Sequence, residues 1–282
     1  MFNTALEPSS AAALLNPRAI VWKMRSRTAL LGGLLALVVV AGAGTAGYRY
    51  WRHVQAETPR PAPSTAVVVS APPQATVAPT EAPRPTPLPP SVFVKVTYTS
   101  QSPFRQWGTG DPHQEYCEAA ALLMEGSYFG GDARDRFPPA EADAAMARIV
   151  SLERSTFPGV LDLPLAAIGR VGTQMYGLRP TIAPVDLQEI ERNLAEGRPV
   201  ILPVMTHGAG GQKISPHYGD TNVYHVILVT GYDASKGLLY TNDAGFTEGQ
   251  NYAYPWTILS SAIDAQAQKF PQGRVMLVFA RP

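Results

Sequence analysis

The chain has 282 residues, 45% of them hydrophobic, with 23 Lys/Arg against 22 Asp/Glu and a formal net charge of +1. So even a balance, with no basic stretch interleaved with aromatics, excludes the electrostatic face of a nucleic-acid binder. A single cysteine excludes an internal disulfide, so a domain outside the cytoplasm would stand without that reinforcement.

The charge is unevenly spread along the chain. Residues 1–91 hold 8 Lys/Arg and 3 Asp/Glu, a net of +5, whereas residues 92–282 hold 15 and 19, a net of −4. Residues 28–48 are uncharged and mostly apolar, long enough to cross a bilayer as one helix of about 20 residues. Trp22 precedes the run, and Tyr48, Tyr50 and Trp51 follow it, as interfacial aromatics do. Arg18, Lys23, Arg25 and Arg27 lie before it and Arg49, Arg52 and Arg60 after it. That asymmetry predicts a cytoplasmic segment at 1–27, a transmembrane signal anchor at 28–48 and an extracytoplasmic C-terminal domain on a single-pass membrane protein. A cleaved signal peptide is the alternative, because Ala41-Gly42-Ala43 and Gly44-Thr45-Ala46 offer small residues at cleavage spacing. The long stretch before the apolar run favours the anchor, and either way the domain is exported.

Residues 49–91 read as an extracytoplasmic linker. Positions 54–91 carry 11 of the 27 prolines and no aromatic residue, a composition that favours extended polyproline conformations over a packed core.

The remaining residues, 92–282, are long enough for one domain with one core. A strand is predicted at 92–98, followed by a helix at 117–129 that Gly130-Gly131 closes. Further helices are predicted at 141–154, after Pro138-Pro139, and at 163–175. Another spans 186–196, where Asp186 caps and Glu189 sits three residues on. Strands follow at 200–205, 223–232, 238–242 and 275–280, with a short helix at 256–265. Helices first and a mostly antiparallel sheet afterwards is an α+β order.

Four residues in this domain invite chemistry. Cys117 stands where a polar stretch turns into an apolar helix, and unpaired N–H groups at a helix start favour a thiolate. His225 lies in the apolar run Tyr224-His225-Val226-Ile227-Leu228-Val229 and is the candidate base. Asp243 follows a strand by one residue and is the candidate partner that orients that base. Gln114 and the Cys117 N–H are candidate donors to an oxyanion. Each has a plainer reading: a core thiol, a hydrogen-bonded strand histidine, a turn aspartate, a surface glutamine. His207, His217, Asp220 and His225 lack the tight spacing of a zinc site, so no metal or cofactor is expected. Residues 208–224 are expected to form a mobile loop beside the cleft.

Gln114-Glu115-Tyr116-Cys117-Glu118-Ala119-Ala120 resembles the nucleophile motif of cysteine peptidase family thirty-nine, the double-glycine leader peptidases, in its C39-like branch of stand-alone domains. Thr97-Tyr98-Thr99-Ser100-Gln101-Ser102-Pro103-Phe104 with Trp107, and Ala195-Glu196-Gly197-Arg198-Pro199-Val200-Ile201, resemble further segments of that branch. So do Tyr224 to Asp233, Tyr240 to Gly245, and Gly249 to Tyr254, all in family order. The resemblance implies a papain-like α+β cysteine peptidase fold. It also implies Cys117 as nucleophile, His225 as general base and acid, Asp243 as its orienting partner and Gln114 at the oxyanion. Glu118 stands where transporter-fused members have glycine. Adjacent helical residues point about 100° apart, so a small effect of Glu118 on the thiol is expected. The implied function is a membrane-anchored, extracytoplasmic cysteine peptidase or amide hydrolase acting on a peptide or protein. The alternative is a catalytically inactive binding domain of the same fold.

Overall fold

The structure, a computed structural model, describes residues 67–69, 87–107 and 110–282. The expected anchor at 28–48 and most of the Pro-rich linker lie outside those residues. Among the described residues no helix is long and apolar enough to cross a membrane.

The helix that opens at the cysteine, α1 (Cys117–Phe129), is the centre of the domain. Its Ala-Ala-Ala-Leu-Leu-Met run is made of strong helix formers, and every residue from Cys117 to Gly126 is buried. A helix buried on all sides has no water-facing stripe and must be surrounded. Two helices follow it, α2 (Pro139–Thr156) and α3 (Leu165–Tyr176). On α2, Ala142, Ala145, Met146, Ile149 and Val150 form one buried stripe at helical spacing. Next comes α4 (Leu187–Ala195), where the Asp186 side chain accepts from the Glu189 N–H at 3.1 Å as its sequence predicts.

Among the described residues the sheet has eight strands. They are β1 (Val67–Val69), β2 (Ser91–Val94), β3 (Arg179–Pro184), β4 (Val200–Met205), β5 (Tyr224–Asp233), β6 (Leu238–Asn242), β7 (Tyr252–Pro255) and β8 (Val275–Ala280). One path through it runs β1-β2-β5-β4-β8-β3, with β6 joining β5 to β7. All pairings are antiparallel except β1 with β2. The α+β class is as expected. The long strand β5, buried along its whole length, is the hub that touches β2, β4 and β6.

Several expected boundaries differ, for local reasons. The strand expected at 92–98 ends at Val94. Beyond it Thr97 Oγ1 donates to the Arg134 carbonyl at 3.0 Å, and the Tyr98 N–H to that of Asp135 at 3.0 Å, which draws the chain toward the loop after α1. β3 and β7 were not expected because Pro180, Pro184 and Pro255 argue against strands. β3 pairs only with β8, so its prolines fall on an edge where no N–H is missed. The helix expected to end at 265, α5 (Trp256–Lys269), runs one turn further. Within the Pro-rich segment, Val67–Val69 pairs in parallel with Val92–Val94.

Candidate active site

Strand register brings His225 and Asp243 together. Asn242, the last residue of β6, pairs with Leu228, so the next residue falls opposite Ile227. Alternation along a strand puts Ile227 and His225 on one face. His225 Nε2 lies 2.8 Å from Asp243 Oδ1, and both side chains are buried.

Asp243 is satisfied from several sides. Tyr218 Oη donates to both its oxygens, at 2.7 and 2.8 Å, Tyr254 Oη to Oδ2 at 2.7 Å, and the Gly245 N–H to Oδ1 at 2.9 Å. Burial alone would raise its pKa, but the His225 imidazole and these donors outweigh that and hold it below the usual carboxylate range. An ionised carboxylate only accepts, so the hydrogen sits on His225 Nε2 and the lone pair is on Nδ1. Nδ1 is therefore the basic atom of the pair.

Two glycines permit this packing. A Cβ at Gly249 would collide with the Asp243 carbonyl, and the Asp243 N–H donates to the Gly249 carbonyl at 2.8 Å. At Gly245 a Cβ would lie 2.6 Å from Tyr218 Oη, on the path by which that hydroxyl reaches the carboxylate.

Cys117 is the first residue of α1, 5% exposed, with the Val226 N–H directed at its sulfur from β5. The nucleophile candidate thus meets the sheet one residue from His225. Its S–H donates to Glu118 Oε2 at 2.9 Å. The expected small effect of Glu118 is overturned: side-chain rotation closes the angle that the helix opens. Burial first, then the charge and hydrogen bond of Glu118, push the thiol well above its ordinary value. The helix-start stabilisation expected of a thiolate is outweighed by these groups.

Gln114 lies in a 3-10 turn, Pro112–Glu115, immediately before α1, with its side chain exposed. Gln101 Nε2 donates to the His113 carbonyl at 2.9 Å and the Gln114 carbonyl at 3.0 Å. The Gln101 N–H also bonds the Ala244 carbonyl at 2.9 Å, so one residue ties the turn before Cys117 to the loop after Asp243. His113 reinforces the turn, with Nδ1 2.6 Å from Asp111 Oδ1 and Nε2 2.7 Å from Asp143 Oδ1 on α2. Burial works against a charged His113, but Asp143 and Asp111 prevail and raise its pKa.

The loop borders the site as 208–223, one residue shorter than expected because β5 begins at Tyr224, with Tyr218 as the contact. His217 stacks on Phe246 at 4.3 Å between ring centroids. His207 sits elsewhere, its N–H held by Asn222 Oδ1 at 2.9 Å, and Asp220 pairs with Lys213. Among the described residues no three His, Cys, Asp or Glu side chains converge as metal ligands would. Gln101 and Tyr254 lie in segments that resemble the family, but the sequence assigns them no role at the site, and nothing in the local pattern marks Tyr218. Only the strand pairing and the loop path bring them to the site.

Residues 93–266 match the model of the Peptidase_C39 like family. No curated protein matches the sequence. Among solved structures, one similar chain is described as a C39-like peptidase from Bacillus anthracis. It has 12% identity and a TM-score of 0.38, with 60% of this chain and 90% of that one covered. Another is Xylellain, a cysteine protease from Xylella fastidiosa, with 13% identity and a TM-score of 0.40, with 70% and 87% covered.

Proposed function

Because the chain belongs to the Peptidase_C39 like family, and so carries a cysteine peptidase-type hydrolase domain, we propose that Cys117, His225 and Asp243 form its catalytic triad. The observation that carries this reading is the buried His225–Asp243 bond at 2.8 Å, which leaves Nδ1 as a base beside the strand residue whose N–H faces the sulfur. His225 Nδ1 takes the proton from Cys117, and the sulfur attacks the carbonyl of a peptide or protein substrate. The Cys117 N–H and Gln114 bind the oxyanion, and His225 returns the proton to the leaving amine. Water then releases the acyl group. The apolar run at 28–48 and its flanking charges support an anchor that holds this domain on the extracytoplasmic side of the membrane.

The test is acylation of the full-length chain by an activated ester, followed as a burst. Cys117→Ala and His225→Ala should each abolish the burst. An undiminished burst in Cys117→Ala would remove the mechanism. One observation favours the second reading, a binding domain without turnover: the thiol rests on Glu118 and not on the imidazole. A thiol inert to alkylating reagents at every pH would support it.

A further inference from the structure

Glu118 is buried, follows the nucleophile directly, and has no part in the reaction above. Both its oxygens are engaged: Oε2 accepts the Cys117 S–H at 2.9 Å, and Oε1 accepts the Leu163 N–H at 3.0 Å. The second bond comes from the loop between α2 and α3 and anchors the carboxylate against the sulfur. Tyr224 Oη donates to the Leu163 carbonyl at 2.9 Å, which fixes that loop residue to β5 in turn. The titratable groups that face Glu118 are Cys117 on its own helix, Asp162 from the loop, Glu153 on α2 and Tyr224 on β5. None of these is a cation, so nothing in this group draws the carboxylate away from the thiol.

We propose that Glu118 is the resting acceptor of the nucleophile's proton, competing with His225 for the Cys117 S–H and keeping the sulfur neutral between turnovers. This rests on the triad reading. In the resting state the S–H bond is intact and points at Oε2. To react, the S–H swings to His225 Nδ1. The S–H bond then breaks, an N–H bond forms, and the electron pair stays on sulfur for attack. Glu118 remains ionised through this step and opposes it, because a carboxylate beside a forming thiolate is a like charge. Protonation of Glu118 from solvent lifts the opposition, since a neutral carboxyl donates to the thiolate. Burial, outweighing its hydrogen bonds, pushes the Glu118 carboxyl up to about 7, so the change falls near neutral pH.

The experiment compares iodoacetamide alkylation of Cys117 in the full-length chain and in Glu118→Gln across pH. The chain has one cysteine, so the label reports that sulfur alone. The amide introduced by this substitution keeps an oxygen for the Leu163 N–H and removes the charge. The rate ratio, variant over wild type, should stay near one at about pH 5.5 and rise to about tenfold or more at about pH 8, the effect of one or more units of thiol pKa. A ratio flat with pH, or below one, overturns the proposal; a merely structural role would not make the ratio depend on pH. Should Glu118→Gln fail to fold, the infrared S–H stretch of the wild type, assigned by its loss in Cys117→Ala, decides. A band lowered by a carboxylate acceptor and shifting as pH falls through about 7 supports Glu118. A free-thiol band unmoved by pH overturns it. The triad stands or falls separately: a Cys117-dependent burst beside a flat ratio removes only the role of Glu118.

Discussion

His225 Nε2 and Asp243 Oδ1 meet at 2.8 Å, and the same carboxylate takes hydroxyl bonds from Tyr218 and Tyr254. The consequence is a histidine with one tautomer and one ring orientation, set by groups from β6, β7 and the loop before β5.

Asp243→Asn keeps the size of the side chain and removes its charge. The amide oxygen can still accept from His225 Nε2–H, but the NH2 group faces the Tyr218 and Tyr254 hydroxyls where they need an acceptor, and no negative charge remains to stabilise the imidazolium that forms. The acylation rate should fall by about 10²–10⁴-fold with substrate affinity little changed. Single-turnover kinetics measures both.

Tyr218→Phe removes the hydroxyl shared by the two Asp243 oxygens and leaves the ring against Phe246 and His225. Stability should drop by about 1–2 kcal/mol, read as a shift of the denaturant midpoint. Acylation should slow several-fold. Tyr254→Phe should behave alike, and the double variant should deviate from additivity because both hydroxyls serve one carboxylate.

Stability should decline as pH rises through neutrality. Burial raises Glu118 to about 7 and Glu153 to about 8, and raises Glu125, whose two oxygens make no hydrogen bond among the described residues. A carboxyl raised on folding contributes stability that is fully present below its unfolded pKa and is lost as pH rises through the folded one. His113, also raised, acts in the same direction from its unfolded value upward. Asp243, lowered on folding, contributes above its unfolded pKa and loses that contribution as pH falls through the folded one. The melting temperature should therefore peak near about pH 4 to 4.5 and fall as pH rises from there through neutrality. Glu153→Gln should flatten the decline above it, and thermal melts across pH report both.

Gly249→Ala should destabilise the domain by about 2 kcal/mol or more, because a Cβ there meets the Asp243 carbonyl backbone, which has no room to retreat. Its effect on acylation should exceed its effect on affinity, since the displaced residue is the one that orients His225.

The helices and strands with a single clear pattern were legible in the sequence. The helix at 117–129 and the strands at 200–205, 238–242 and 275–280 have the bounds their composition predicts. β3 and β7 were not, because their prolines speak against a strand unless the chain is known to lie at a sheet edge. Glu118 was read as pointing away from the sulfur, since helical geometry sets where Cα–Cβ bonds point but leaves the rotamers beyond them open.

By itself the sequence determined that one thiol, one strand histidine and one aspartate after a strand follow one another along the chain, and that the domain is α+β. Those are local properties of composition and periodicity. Tertiary structure decided the rest. The pairing of β5 with β6 chose which aspartate reaches His225, and the loop paths supplied Tyr218 and Gln101. The packing also brings the buried Glu118 carboxylate to the Cys117 S–H. Each of these depends on residues far apart in the chain, and their contacts exist only once the intervening elements have packed.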